Sequence, residues 1–283
     1  MQTDAASRLR LVIFDLDGVV YRGDRVVAGA PELIRRVREH GLTVRFATNN
    51  SMLEPSEFVS RLAALHIAAG EDELVTSTMA TVQHLRRRLP EVRHVLAVGE
   101  HGLLTLLRGG GYRVTAAAEA LPDGFDGEPL DGYDAVVVGL DRSFDYRRLA
   151  AAHAAIRGGA RFIATNADAT YPTAHGLVPG AGTMVAAMRA ACGVEPTIIG
   201  KPQPGIFLAI LEGAGIDREQ ALVVGDNPAA DIVAARRAGI ASVLVLTGVA
   251  DASMAAELDG ERRPDAVVAG PDELATLIDA RLS

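Results

Sequence analysis

Short apolar runs alternate with helix-patterned segments along almost the whole chain, and few architectures tolerate that pattern. Leu9 to Phe14 reads as a buried strand, and Pro31 to His40 has helical spacing with Leu33, Ile34 and Val37 on one face and Gly41 as its stop. Thr43 to Ala47 reads as the next strand, followed by a helix from about Pro55 to Leu65. Strand–helix–strand alternation of this kind implies a parallel sheet with helices on its faces, an α/β fold. A second set begins near residue 80. Its strands are His94 to Val98, Asp134 to Val138 and Arg161 to Ala164, and its helices include Tyr146 to Ile156 and Thr183 to Ala191. A loop rich in Pro, Gly and Asp, Leu121 to Gly132, breaks this set in the middle. A third set has short strands at Thr197 to Ile199, Ala221 to Val224, Ser242 to Leu246 and Ala266 to Val268, with a last helix from about Pro271.

With 283 residues, 49% of them hydrophobic, the chain has material for one large or two modest domains. A net charge of -8 argues against a general nucleic-acid surface, and the longest basic run, Arg86-Arg87-Arg88, reads as the solvated face of a helix. The single cysteine, Cys192, excludes an internal disulfide and a Cys-rich metal site, and reads as a small core residue. No stretch approaches ~18 uninterrupted apolar residues, and the N-terminus lacks a charged segment followed by an apolar one, so a soluble cytoplasmic protein without a membrane partner is expected. The histidines are not spaced as metal ligands.

Ligands of open parallel sheets bind outside the carboxyl ends of the strands. Four predicted strand ends are polar here: Asp15-Leu16-Asp17-Gly18, Thr48-Asn49-Asn50-Ser51, Gly200-Lys201-Pro202, and Gly225-Asp226-Asn227 with Asp231 five residues past Asp226. Of 28 basic side chains, Lys201 is the one lysine, a compact ammonium where the rest of the chain uses the planar guanidinium fork. Asp15, Asp17 and Asp226 together would crowd negative charge at one sheet edge, and repulsion would raise their pKa values. A hard cation with oxygen ligands relieves this, and Mg²⁺ is the usual choice where a few carboxylates share it with a phosphate. Thr48, Asn49 and the backbone N–H groups after Asp15 offer donors to phosphate oxygens. One carboxylate can attack phosphorus and its neighbour can move the proton. Each piece has a bland alternative: Thr-Asn-Asn as a loop or helix cap, Asp226 and Asp231 as acids favoured by a helix dipole. The conjunction, in this order and at strand ends, favours phosphoryl chemistry.

Those same residues resemble the four motifs of the haloacid dehalogenase superfamily of phosphohydrolases, in its NagD-like, 4-nitrophenyl phosphatase branch. Thr165-Asn166-Ala167-Asp168-Ala169-Thr170-Tyr171-Pro172 and Pro179-Gly180-Ala181-Gly182-Thr183 are similar to that branch's cap sequences. The resemblance runs from about Arg10 to the C-terminus. It implies a Rossmann-like parallel-sheet core, residues 1–79 and 195–283, interrupted by a large α/β cap, residues 80–194, that selects the substrate. It implies Asp15 as nucleophile and Mg²⁺ ligand, Asp17 as general acid/base and metal contact through its backbone carbonyl, and Asp226 as the third metal contact. Thr48, Asn49, Asn50 and Lys201 would hold the phosphate, with Asp231 and Asn227 behind them. Tyr171 stands either where some relatives place a substrate-facing residue or as a packing residue of the cap. Relatives often carry Thr where this chain has Ala230, which removes a hydroxyl behind the site.

The expected activity is Mg²⁺-dependent hydrolysis of small phosphate monoesters through an aspartyl-phosphate, with a phosphorylated metabolite as partner and a homodimer formed through the cap. The substrate stays open among 4-nitrophenyl phosphate, phosphoglycolate, glycerol phosphate, nucleoside monophosphates, sugar phosphates and pyridoxal phosphate. Two rivals are a receiver-type phosphoacceptor module, which would lack Asp17 and need no large insertion, and a catalytically silent assembly protein. One consequence follows for the lone lysine. Lys201→Arg should keep charge and fold, as read by circular dichroism, yet lose most of the phosphatase activity. Normal turnover would make the lysine an accident of composition.

Overall fold

The computed structural model describes residues 8–173 and 176–282. These fall into two compact units, one formed by residues 8–48, 58–75 and 201–282, the other by residues 49–57 and 76–200.

The first unit is built on a six-stranded sheet. Its order is Ala266–Val268, Ala241–Val245, Ala221–Gly225, Leu11–Asp15, Thr43–Thr48 and Leu74–Thr76. Pairings from Ala266–Val268 through to Thr43–Thr48 are all parallel. Leu11–Asp15 is central, with Leu11 opposite Ala221 on one side and Thr43 on the other. Its residues Leu11, Val12 and Ile13 are fully buried, as a strand covered on both faces requires. From it the chain winds outward to Leu74–Thr76, then returns to Ala221–Gly225 and winds outward the other way. The strand order therefore reverses between Leu11–Asp15 and Ala221–Gly225, the place where such sheets open a crevice for ligands.

Helix Ala30–Glu39 shows why the flanking elements form. Proline at its start, Glu32 in its first turn and Arg36 and Arg38 in its last all suit the helix dipole, and Leu33, Ile34 and Val37 make the buried face. Gly41, at φ 73°, turns the chain out of it. On that helix Arg36 pairs with Asp279 of helix Pro271–Leu282, and His40 lies 3.0 Å from the same carboxylate.

The second unit has its own five-stranded sheet, in the order Thr197–Ile198, Arg161–Ala164, Ala135–Val138, His94–Val98 and Arg113–Ala116, with every pairing parallel. Its apolar cluster joins Leu96, Val98, Val136 and Val138 from the sheet to Ala151, Ala152 and Ala155 of helix Tyr146–Arg157 and to Met184, Val185 and Met188 of helix Ala181–Cys192. Small alanines let that first helix lie close to the strands. Cys192 is half-buried against the cluster, with Sγ 3.4 Å from His153 Nδ1. An antiparallel hairpin, Thr170–Thr173 with Gly176–Pro179, follows the Arg161–Ala164 strand.

Two expectations are corrected. Thr197–Ile198 is not a strand of the first sheet: Thr197 pairs with Ile163 and Ile198 with Ala164, at the edge of the second sheet. The passage between units consequently falls at Gly200/Lys201 rather than at residue 195, and the earlier ones fall at Thr48/Asn49, Glu57/Phe58 and Val75/Thr76. Strands Leu74–Thr76 and Arg113–Ala116 and the hairpin also escaped the sequence reading. No described helix is long and apolar enough to cross a membrane.

Candidate active site

The carboxyl ends of three adjacent strands of the first unit carry Asp15, Thr48 and Gly225-Asp226. Thr48 and Asp226 are buried. Lys201 enters the same place from the segment that begins the third stretch of this unit. Its ammonium donates to Asp15 Oδ1 at 2.6 Å and to Asp231 Oδ1 at 2.6 Å, with the residue only 3% exposed. Asp231 lies in a π-turn, Pro228–Ile232, that follows Asn227. The Asn227 side chain caps this turn by accepting from Ala229 N at 3.0 Å, and its backbone N–H donates to the other Asp231 oxygen at 3.1 Å. Asp226 Oδ2 accepts from Val249 N at 2.7 Å. Carboxylate oxygens of Asp15, Asp226 and Asp231 lie within 4.8 Å of one another.

Glycines make room for this crowding. A Cβ on Gly18, which stands at φ 83°, would come 2.1 Å from Asp226 Oδ2, and one on Gly248 would come 1.9 Å from the same atom. A Cβ on Gly225 would meet Asp231 Cβ at 2.2 Å. Close backbone approach is the service glycine performs at all three positions. Thr247 Oγ1 donates to Gly18 O at 2.6 Å and ties two of these segments together.

Burial raises the Asp15 pKa well above the usual carboxylate range; Lys201 pulls it down, and Asp231 and Asp226 push it up again. Asp226 is pushed up to about 7, by burial first and by Asp231 second. For Lys201 burial works against the charge, but Asp15 and then Asp231 outweigh it and raise its pKa above the ordinary value. Three clustered carboxylates thus face one ammonium. The deficit of positive charge, with an all-oxygen donor set, fits a hard divalent cation held by Asp15 and Asp226.

Asp17 follows in a tight loop in which Gly18 N donates to Tyr21 O at 2.7 Å. Burial lifts its pKa to about 6, against the pull of Arg61 and Lys201. Arg61 sits 4.2 Å above the Tyr21 ring and donates to Gly23 O, which anchors the small hairpin Tyr21–Arg22 and Arg25–Val26 beside the loop.

The remaining expected site residues belong to the second unit. Asn49 donates from Nδ2 to Asp168 Oδ2 at 2.9 Å. Asn50 accepts from Met52 N at 2.9 Å, a local turn bond. Tyr171 is half-buried against the second unit's apolar cluster. Sequence reasoning missed Asp168 as the partner of Asn49, and missed Gly248 and Thr247. Asp168 stood within a recognisable motif, but nothing in Leu246-Thr247-Gly248 marks it as packing on a carboxylate 22 residues earlier.

Residues 12–113 match the family of haloacid dehalogenase-like hydrolases, and residues 198–274 match a second model of the same hydrolase type. The chain is 37% identical to the 5′-nucleotidase YutF of Bacillus subtilis, over 84% of this chain and 87% of that protein. It is 33% identical to an acid sugar phosphatase of Staphylococcus epidermidis, over 84% and 86% of the two.

The chain belongs to the haloacid dehalogenase-like hydrolases.

Among solved structures, a glycerol phosphate phosphatase from Mycobacterium tuberculosis in complex with magnesium superimposes with a TM-score of 0.84 at 34% identity, covering 96% of this chain and 79% of that one. As a member of the haloacid dehalogenase-like hydrolases, with phosphatases and a nucleotidase as relatives, the chain is a phosphohydrolase. The glycine cradle gives its first structural test. Gly18→Ala should leave the far-ultraviolet circular dichroism unchanged and cut phosphatase turnover by about 10²-fold, the cost of shifting a reacting group by an ångström. Turnover within twofold of wild type would show that Asp226 has room to spare.

Proposed function

We propose that this protein hydrolyses small phosphate monoesters with Mg²⁺, using Asp15 as nucleophile. The observation that carries the reading is the buried ammonium of Lys201 held at 2.6 Å from both Asp15 and Asp231. A buried, twice-paired cation keeps one oxygen of Asp15 oriented, and it lies where charge gathers as a phosphoryl group arrives.

In this reading the Asp15 carboxylate attacks phosphorus and the bond from phosphorus to the ester oxygen breaks. Asp17 gives its proton to the departing oxygen, so that an alcohol leaves and an aspartyl-phosphate remains. Asp17 then takes a proton from water, whose oxygen attacks the same phosphorus. Phosphate departs and the Asp15 carboxylate is restored. Thr48, Asn49, Asn50 and Lys201 hold phosphate oxygens, and Asp231 and Asn227 keep Lys201 in place. Magnesium, when bound by Asp15, Asp226 and the backbone carbonyl of Asp17, supplies charge neutralisation for the phosphoryl group.

The nucleotidase, sugar phosphatase and glycerol phosphate phosphatase to which the chain is similar share a phosphate monoester and little else. That supports a division in which Asp15, Asp17, Lys201 and Asp226 of the first unit carry the bond-making and bond-breaking steps. The second unit, Tyr171 included, selects the group attached to the phosphate, and a small phosphorylated metabolite is the natural partner.

The test is release of 4-nitrophenol from 4-nitrophenyl phosphate, followed by a panel of phosphoglycolate, glycerol phosphate, sugar phosphates, pyridoxal phosphate and nucleoside monophosphates. Wild type should turn over with Mg²⁺ and stop when the metal is chelated, and Asp15→Asn should be inactive while folded. Metal-independent turnover, or an active Asp15→Asn, contradicts the reading.

A further inference from the structure

Asn49 is held more tightly than a linker residue needs to be. It is the first residue after the chain leaves the Thr43–Thr48 strand for the second unit. Its backbone carbonyl accepts from Ser77 Oγ at 2.7 Å and from Asn166 Nδ2 at 2.8 Å. Ser77 and Asn166 are both buried. Its side-chain amide donates to Asp168 at 2.9 Å. Gly200 closes the remaining side: its N–H donates to Thr165 O at 2.8 Å, and a Cβ there would lie 2.6 Å from Asn49 Oδ1.

Asp168 is itself pinned through its backbone. Its N–H donates to Asn166 Oδ1 at 3.2 Å, and its carbonyl accepts from Gly182 N at 2.9 Å at the start of helix Ala181–Cys192. Gly182 is a place where a side chain would strike backbone, since a Cβ would meet Ala167 O at 2.4 Å. The main chain of Asp168 is thus held on both sides, and from it the carboxylate reaches the side-chain amide of Asn49, a bond that is charge-assisted with the carboxylate ionised. Such bonds behind a binding group set its orientation and its readiness to bind.

We propose that Asp168 is a positioning residue for phosphate-ester hydrolysis, acting on substrate binding through Asn49. The inference rests on the reading of Asn49 as a phosphate-holding residue.

The experiment is a double-mutant cycle on the full chain with 4-nitrophenyl phosphate and Mg²⁺, with thermal unfolding of every variant. Asn49→Ala and Asp168→Ala should each lower kcat/KM by about tenfold, mainly through KM, as expected for loss of one charge-assisted bond. The double variant should be no worse than Asn49→Ala to within about twofold, because Asp168 has nothing left to act through. Asp168→Asn, which keeps an acceptor oxygen, should recover most of the loss.

An unchanged kcat/KM in Asp168→Ala beside an impaired Asn49→Ala overturns the inference and leaves the role of Asn49 standing. Multiplying losses in the double variant overturn it as well. If Asp168→Ala unfolds early and Asp168→Asn regains stability but not kcat/KM, Asp168 is structural and the inference is overturned. A fully active Asn49→Ala overturns both the inference and the reading beneath it.

Discussion

Everything at the candidate site depends on keeping one ammonium buried between two carboxylates. Asp15, Lys201 and Asp231 are separated by 186 and 30 residues of chain, yet both Lys201 contacts are 2.6 Å long. Burying charge is costly unless it is paired and hydrogen-bonded, and removing one partner of such a set strands the others. The fold meets that demand with a parallel sheet whose strand order reverses beside Asp15. The carboxyl ends of Leu11–Asp15 and Ala221–Gly225 are adjacent there, so Asp15 and Asp226 meet without long loops. Gly18, Gly225 and Gly248 then remove the side chains that would keep the backbones apart.

Much of this was legible from sequence because buried parallel strands leave a strong mark. Leu11–Asp15, His94–Val98, Arg161–Ala164 and Ala266–Val268 were visible as apolar runs, and the residues ending the core strands were visible as a break in hydropathy. Burial on both faces produces that contrast. Thr197–Ile198 defeated the reading for a physical reason. It is a two-residue edge, and local composition cannot say which sheet an edge strand joins. Leu74–Thr76 and the Thr170–Pro179 hairpin are short too, and the hairpin leaves Leu177 70% exposed, so its pattern resembles a loop.

The site was legible in part. Lys201 stood out by being the one lysine, and its pairing with Asp15 and Asp231 is the geometry that singularity pointed toward. The glycine contacts and the Asn49–Asp168 bond were not readable: Gly18 stands 208 residues from Asp226 and Asn49 119 from Asp168, and the nearer pairs, Gly248 with Asp226 and Gly225 with Asp231, carry no local signature. On the reading proposed above, what they have in common is service behind the groups assigned to the reaction: they set where a carboxylate or an amide sits. In an enzyme whose work is mostly placement and charge neutralisation, such residues matter as much as the ones that touch phosphorus.

The central claim is that Asp15 carries the phosphoryl group. The most direct measurement is rapid acid quenching of the wild type during turnover of a phosphate ester, followed by proteolysis and mass spectrometry of the peptide that spans Asp15. The account predicts one phosphoryl group on Asp15, present only while substrate lasts and absent after hydroxylamine treatment, which cleaves acyl phosphates. A phosphoryl group on any other residue, or none at all while a burst of 4-nitrophenol from 4-nitrophenyl phosphate runs ahead of inorganic phosphate in the quenched samples, would contradict it.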